Sequence, residues 1–346
     1  MPDKQFPTLL DLTALSGGDA AVGVVKVIQV YAPELQMFGG RPIGALTYKV
    51  SRARKLPGGK AFRAVNAPVL ATAGSFEQIL GQCFRIDRPM QIDQALVDEQ
   101  MAQYGGQVEN IQAAQAAQQL EALGILLGQQ FYYGTSIDAG GFDGLQNFVD
   151  NSPYTCVDAG GTVNGTLSSA WIVYNAPDGI HWTYGNGKGL NVGTWMPQQV
   201  TAYLSGNSGA LGVKPMFVNN VSGWLGLANN APITRTNKTD LIACVRIANL
   251  GAYGTGKSLT DALVADAKKL FPLSIANKPG ALKLMMTRQQ NLALAKSRMV
   301  APTTTAGSSV TVATPIQFDD TAKVSCGIEI IQTDSILDTE NKVTIA

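Results

Sequence analysis

The sequence predicts an α+β protein that combines a strand-rich body with one long helical region. Residues 92–133 place apolar side chains at i, i+3, i+7 and i+11, on one face of a helix: Leu120, Leu123, Leu127 and Phe131. Residues 140–250 instead hold short apolar runs separated by turns rich in Gly, Pro and Asn, which is typical of strands.

The helical region follows a predicted extended strand at residues 75–91. Gly105 and Gly106 interrupt its apolar pattern and predict a break or kink, and Gly134 is placed to cap its C-terminus. Later patterns predict two helices, at residues 258–271 and 288–299, and two strands, at residues 282–286 and 328–334.

Residues 41–66 predict a strongly basic β-hairpin. A first strand alternates apolar and polar residues over 46–51, a turn follows at 56–60, and a returning strand carries Phe62 and Val65. No acidic residue lies between Glu34 and Glu77, and the segment holds seven basic residues: Arg41, Lys49, Arg52, Arg54, Lys55, Lys60 and Arg63.

An isolated two-stranded hairpin is marginally stable in water, and this one has few apolar residues near its tip. We therefore expect the tip to project and to rest on another, acidic surface. A nucleic-acid-binding arm is the alternative, but only Tyr48 and Phe62 could stack on bases, so any binding would be unspecific.

The composition favours a protein whose surface is largely in contact with other protein chains. Charged residues make up 15% of the chain, against about 25% in typical soluble domains, and there are 37 glycines. The net charge of +1 points neither to DNA nor to an anionic membrane. No apolar run approaches the ~20 residues that cross a bilayer, so no membrane partner is expected.

Few residues could carry catalysis or bind a metal. The single histidine, His181, excludes paired-histidine metal sites and lies in a predicted strand, which favours a structural role. Cys83, Cys156, Cys244 and Cys326 are too far apart for a Cys-x-x-Cys site and are expected to be free thiols. We expect no catalytic residue, no metal, no cofactor and no enzymatic activity.

One motif supports an alternative function. The segment GAYGTGKS, from Gly251 to Ser258, matches the P-loop pattern of nucleotide-binding proteins, in which Lys257 would contact phosphates and Ser258 would hold Mg²⁺. The strand that follows, at 282–286, ends without the acidic residue that positions Mg²⁺. A structural interpretation is a strand-to-helix turn, with Ser258 as N-cap and Asp261 at N3.

Seven blocks, taken in order, resemble the major capsid proteins of tailed bacteriophages with the Hong Kong 97-like fold. They lie at residues 8–35, 75–93, 141–149, 168–187, 245–250, 282–298 and 327–340. The fourth block, SSAWIVYNAPDGIHWTYGNG, is representative. The similarity extends over nearly the whole chain, and its specificity comes from the order and spacing of the blocks.

The resemblance implies four parts: an N-terminal arm at 1–40, an extended loop at 41–74, a peripheral domain with a long spine helix at 75–134 and 310–346, and an axial domain at 135–309. Within the arm, the valines of residues 19–32 favour a strand, whereas Asp19 as N-cap and Pro33 favour a helix. The resemblance implies a helix there.

It further implies a coat protein that self-assembles into hexamers and pentamers and forms the icosahedral head around double-stranded DNA. The implied partners are a separate scaffolding protein, a portal, packaged DNA on the inner face and a decoration protein, with assembly in the host bacterial cytoplasm and residence in the virion. The basic candidates for contacts between subunits are Arg52, Arg54, Lys55, Lys60 and Arg63. The acidic candidates are Asp93, Asp98, Glu99, Asp334, Asp338 and Glu340.

Overall fold

A computed structural model describes residues 30–58, 62, 65, 71–104, 109–185, 189–203, 211–232, 240–252, 256–298 and 322–345. The predictions for the arm before residue 30 lie outside this range, as do Lys60 and Arg63 of the predicted hairpin.

The helices are α1 (Glu34–Met37), α2 (Gln94–Tyr104), α3 (Glu109–Tyr133), α4 (Asp261–Lys268), α5 (Leu273–Ala276) and α6 (Arg288–Ser297). The predicted helical region corresponds to α2 and α3, and Gly105 and Gly106 lie between them, outside the described residues. Gly134 ends α3 as predicted, because its φ of +55° is a left-handed conformation that suits glycine.

The strands of the N-terminal half are β1 (Gly40–Pro42), β2 (Thr47–Lys55), β3 (Ser75–Gln82), β4 (Phe84–Asp93), β5 (Cys156–Asp158), β6 (Ser168–Tyr174) and β7 (Ile180–Tyr184). Those of the C-terminal half are β8 (Asn191–Val192), β9 (Met196–Tyr203), β10 (Leu211–Asn229), β11 (Cys244–Leu250), β12 (Leu282–Met286), β13 (Val324–Ser325) and β14 (Ile328–Gln332). The predicted strand at 282–286 is confirmed as β12 with the same bounds.

Two six-stranded sheets form the body. In sheet 1 the 19-residue strand β10 pairs with β4 along one side and with β9, β8 and β7 along the other, and β1 extends the sheet beyond β7. Sheet 2 has the order β13-β14-β12-β6-β11-β5. Both sheets combine strands from the predicted peripheral and axial parts, so the boundaries at residues 134 and 309 do not separate the sheets.

The C-terminal end of α3 joins the two sheets through aromatic contacts. The Phe131 ring lies 5.5 Å from Trp182 of β7, and the Tyr132 ring lies 6.4 Å from Trp171 of β6. All four side chains are fully buried, and burial of Phe131 alone contributes roughly 1.5–3 kcal/mol. Leu120 is 42% exposed, so the predicted apolar face of the helix is buried only toward its C-terminus.

The predicted hairpin is corrected in its second strand. β2 pairs antiparallel with β3, with Val50 opposite Ile79 and Arg52 opposite Glu77, and the two described residues of the predicted returning strand, Phe62 and Val65, are not in a strand. The physical reason is that β3 supplies an apolar partner and an acid opposite the basic strand, whereas residues 61–66 supply no acid. The single strand predicted at 75–91 is accordingly two strands, which belong to different sheets.

The helix predicted at 258–271 begins later than expected. Thr260, and not Ser258, is the N-cap of α4, and its hydroxyl accepts a hydrogen bond from the Leu263 N–H. Asp261 is therefore the first helical residue, where its carboxylate stabilises the N-terminal end of the helix.

Candidate inter-subunit surfaces

The two-stranded sheet β2–β3, called the ribbon below, has one face that is exposed to solvent. This outer face carries Phe76 and Leu80, which are 79% and 64% exposed. Lys49 lies opposite Leu80 and Ala53 lies opposite Phe76, and both are exposed. Large apolar side chains beside a cation, on a strand pair with no cover, are typical of a protein interaction surface.

The inner face of the ribbon is half-buried and internally paired. An Arg52 Nη2 atom lies 3.0 Å from the Glu77 carboxylate, and Arg54 Nε lies 4.0 Å from the same oxygen. The Tyr48 ring lies against Gly81, where a Cβ atom would clash with it. Burial raises the pKa of Tyr48 to about 12. Both predicted contact arginines therefore lie beside an acid of their own ribbon.

The predicted acidic contact residues differ in how exposed they are and in the bonds that they already make within the chain. Asp98 and Glu99 are exposed on α2, and Asp338 is exposed near the C-terminus. Asp93 lies 2.6 Å from Lys214 Nζ, and the exposed Asp334 accepts a hydrogen bond of 2.9 Å from the Tyr31 N–H.

The prediction that Glu340 contacts a neighbouring subunit is corrected. Its carboxylate is buried, and both of its oxygens are bonded to residues of the same chain. One oxygen lies 3.0 Å from Arg246 Nη2 and accepts from the Ser169 hydroxyl, and the other accepts from the Tyr133 hydroxyl at 2.6 Å. The Arg246 guanidinium also lies 5.2 Å from the Trp171 ring. Such a carboxylate cannot reach a neighbouring subunit.

A second buried carboxylate, Glu34 of α1, was missed by sequence reasoning. It is 0% exposed and accepts hydrogen bonds from Tyr132 at 2.7 Å, from Thr333, and from Ser335 at 3.5 Å. Burial raises its pKa, although the hydroxyl donors act in the opposite direction. The cluster fastens α1 to both α3 and the C-terminal segment. A glutamate directly after Pro33 gives no sequence signal of burial, because it resembles an ordinary first-turn acid.

The P-loop-like segment does not have the local structure of a phosphate-binding turn in its described part. The Gly251 N–H donates to the Lys257 carbonyl, and the Gln290 amide accepts from the Leu259 N–H and donates to the Gly251 carbonyl. The helix begins at Asp261, three residues beyond Ser258, so its first N–H groups do not converge on the loop. The nucleotide-binding alternative is not supported.

The described residues include no group of three or more His, Cys, Asp or Glu side chains placed to bind a metal. Among those same residues, no helix has the length and apolar character to cross a membrane. His181 is 5% exposed, and burial lowers its pKa. Its position within β7 confirms the predicted strand. Three of the four cysteines are buried free thiols, whereas Cys326 is an exposed one.

Several solved structures from bacteriophages are similar to this chain. The chain is similar to one from bacteriophage Epsilon15, with a TM-score of 0.69 and 15% identity over 99% of this chain and 98% of that chain. It also matches a chain from Mycobacterium phage Adephagia, with a TM-score of 0.47 and 10% identity over 66% and 92% of the two chains. The capsid of Myoviridae phage XM1 gives a TM-score of 0.45 and 10% identity over 68% and 97%. No curated protein sequence matches this chain.

The likeness to the Epsilon15 chain, which spans nearly all of both molecules, identifies the Hong Kong 97-like fold of phage capsid subunits. The family described as Major capsid protein GP7 matches residues 47–344, well over half of this chain. The chain belongs to this family: it is a tailed-phage major capsid protein, a structural coat protein of the virion that forms the icosahedral head.

Proposed function

We propose that copies of this chain associate as hexamers and pentamers, and that the ribbon of each copy lies on its neighbour. The observation that carries this proposal is the outer face of the ribbon, where Phe76 and Leu80 are 79% and 64% exposed within a single copy. A two-stranded sheet with an uncovered apolar face gains stability when another surface covers that face.

The expected energy of the contact is modest and divided over many groups. Covering Phe76 and Leu80 would contribute at most about 1.5–3 kcal/mol each, and each exposed charge pair contributes about 0–1 kcal/mol. Contacts of this strength can dissociate and re-form before a shell closes. The proposed basic side of the contact comprises Arg52, Arg54, Lys55, Lys60 and Arg63. The proposed acidic side comprises Asp93, Asp98, Glu99, Asp334 and Asp338.

The same proposal keeps the parts that the resemblance implied. Residues 135–309 would lie at the centres of hexamers and pentamers, and residues 75–134 with 310–346 toward their edges. A separate scaffolding protein, a portal and a decoration protein are the proposed partners, and the inner face would meet packaged DNA without sequence preference. Assembly in the host cytoplasm and the lack of catalytic activity belong to this proposal as well.

The test replaces the two exposed apolar side chains of the outer face. The double variant Phe76→Ser/Leu80→Ser should keep the circular dichroism spectrum of the parent chain and lose shells in electron micrographs and sedimentation profiles. Val163→Ser is the matched control, because Val163 is 61% exposed but lies outside the ribbon, and it should form shells normally. Normal shells from the double variant would contradict the proposal.

A further inference from the structure

Strand β9 forms an uncovered edge of sheet 1. It pairs with β10 along one side, and no other described strand pairs with it. Residues 196–201 alternate between the two faces of the strand, and all of them are exposed or half-buried. Met196 is 56% exposed, and Val213, which lies opposite Thr201 on β10, is 66% exposed. The outer side of β9 therefore presents backbone groups that are placed to pair with a further strand.

Charge distinguishes β9 from the other edge strands. Proteins protect an exposed edge against pairing with other chains by placing charged residues or proline on it, or by keeping the strand very short. Within the described ranges, the long edge strand β2 holds four basic residues, β3 holds Glu77, and β4 holds charges of both signs. The edge strands β1, β5, β8 and β13 have three residues or fewer. β9, with the sequence MPQQVTAY, has only Pro197 as a protecting residue, and this proline is near its N-terminal end.

The same lack of charge indicates which partner covers the edge. A charged residue on an added strand would find no counter-charge on β9. The one charged residue on the part of β10 that pairs with β9 is Lys214, and its Nζ atom already lies 2.6 Å from Asp93. The described part of the chain supplies one long edge strand without charge, which is β9 itself. A second copy of β9 therefore fits, because neither strand brings a charge that the other leaves unpaired.

A two-fold axis perpendicular to the sheet brings two such edges together in antiparallel orientation, and opposite residues then point to the same face. With Val200 of both copies on the axis, Gln199 lies opposite Thr201, and Pro197 lies opposite Tyr203. This register puts the missing N–H of Pro197 at the end of the ladder, where proline is tolerated. It also puts β-branched residues, which favour strands, at the centre.

We infer that β9 is a site of strand addition, at which the β9 edges of two copies pair antiparallel around a two-fold axis. The contact is isologous, because the same surface is used by both copies. Neighbours within a ring of five or six are instead related head to tail. Pairing of β9 therefore joins copies that belong to different rings. The inference rests on the proposed hexamers and pentamers, and it adds the contact that links one ring to the next.

Disulfide formation in assembled shells tests the pairing. Opposite residues of antiparallel strands have Cα atoms about 4.5–5.5 Å apart, which a disulfide can span. After mild oxidation, Cys326→Ser/Val200→Cys should run mainly as linked dimers on a non-reducing denaturing gel, without longer products, because each chain has one linking site. Cys326→Ser/Val213→Cys is the matched control. It should stay monomeric, because Val213 is exposed but lies on β10, one strand behind the edge.

Hydrogen exchange of the parent chain is a second measurement that needs no substitution. The β9 amides that face away from β10 should exchange about tenfold more slowly, or slower still, in shells than in the unassembled chain. A charge at the axis provides a third. Val200→Lys puts like charges opposite each other and should lower shell yield by about fivefold, whereas Val200→Thr should assemble as the parent does.

Three outcomes would overturn the inference. Normal shells without links at residue 200 and without added protection would reject β9 pairing while leaving ribbon-mediated assembly intact. Protection without links would mean that another segment or another protein covers the edge. Equal shell yields from Val200→Lys and Val200→Thr would show that no second copy of residue 200 lies opposite the first. Loss of rings of five or six from the parent itself would instead count against the proposed function.

Discussion

The Arg246 guanidinium and the Glu340 carboxylate lie 3.0 Å apart in the interior of the protein, where both side chains are almost completely buried. Arg246 belongs to β11, whereas Glu340 lies near the C-terminus. The pair therefore fastens the C-terminal segment across sheet 2. The segment is also held by Asn249, whose side chain donates to the Val343 carbonyl and accepts from the Val343 N–H.

Removing the carboxylate should destabilise the subunit. In Glu340→Gln the Arg246 charge would stay buried without its counter-charge, and breaking a buried pair in this way costs about 3–5 kcal/mol. Urea unfolding of the unassembled chain, followed by tryptophan fluorescence, measures the loss. Glu329→Gln is the control, since its pair with Lys283 is more exposed and should contribute about 0–1 kcal/mol. Equal losses in both variants would contradict the assigned role of Glu340.

Glu34 should make stability fall as pH rises. Because burial raises its pKa above the ordinary value of 4.5, the native state keeps the proton to a higher pH than the unfolded chain does. The stabilisation is fully present below pH 4.5 and is lost as pH rises through the raised pKa. In Glu34→Gln this decline should be absent, so the free energy of unfolding of the parent relative to the variant should decrease from about pH 4.5 upward.

Asp261 provides a control with the opposite sign. The Arg298 hydrogen bonds lower its pKa below 3.8, so its contribution is present above pH 3.8 and is lost as pH falls through the lowered pKa. Asp261→Asn should flatten the acid side of the stability profile and leave the Glu34 region unchanged. A parent profile that superimposes on that of Glu34→Gln over the whole pH range would reject the role of Glu34.

Residue 81 should accommodate no side chain as long as the Tyr48 ring stays in its observed position. In Gly81→Val the new Cβ would overlap the Tyr48 ring, and such overpacking costs about 1–3 kcal/mol. The effect should be local, so hydrogen exchange of the β2–β3 amides should accelerate while that of α3 stays as in the parent. The double variant Gly81→Val/Tyr48→Ala should recover much of the protection. Failure of the second substitution to restore protection would show that the contact is not the cause.

Reversal of the charges of Arg52 and Arg54 should impair shell assembly for two reasons that can be tested separately. Both lie beside Glu77 in the ribbon, so Arg52→Glu/Arg54→Glu removes an internal pair as well as a proposed contact with a neighbour. Adding Glu77→Arg restores an opposite-charge pair within the ribbon. The glutamates at positions 52 and 54 would still face the acidic residues proposed for the neighbouring subunit. Shell yield by sedimentation should be low in both variants. Full recovery in the triple variant would mean that the internal pair alone matters.

Lys257 should have no part in nucleotide binding. The helix after the GAYGTGKS turn begins only at Asp261, so neither the parent nor Lys257→Ala should bind a fluorescent ATP analogue. Titration by fluorescence anisotropy measures this, with Mg²⁺ present. Binding by the parent that disappears in Lys257→Ala would revive the nucleotide-binding alternative.

Local patterns predicted the elements that depend on near neighbours in sequence. The spacing of Leu123, Leu127 and Phe131 located the long helix, and Gly134 located its end. Strand β12 was predicted with its observed bounds because it is a short apolar run. The order of seven blocks indicated the capsid fold, which a single motif could not have done.

Long-range pairing explains what the sequence did not reveal. Strand β2 pairs with β3 across about twenty residues of intervening chain, and alternation alone does not identify a partner at that distance. Burial of Glu340 and Glu34 depends on contacts with residues at least 94 positions away, so both appeared to be ordinary surface acids. The GAYGTGKS segment suggested nucleotide binding because its residues match the P-loop pattern. The helix that follows it, however, begins later than in a P-loop.

Sedimentation velocity of the purified chain over a wide concentration range, with negative-stain micrographs of the same samples, tests the central claim most directly. The account predicts closed shells, with rings of five or six subunits as their precursors and Phe76 protected from solvent after assembly. A single compact species at every concentration, with the ribbon folded against its own body, would contradict it.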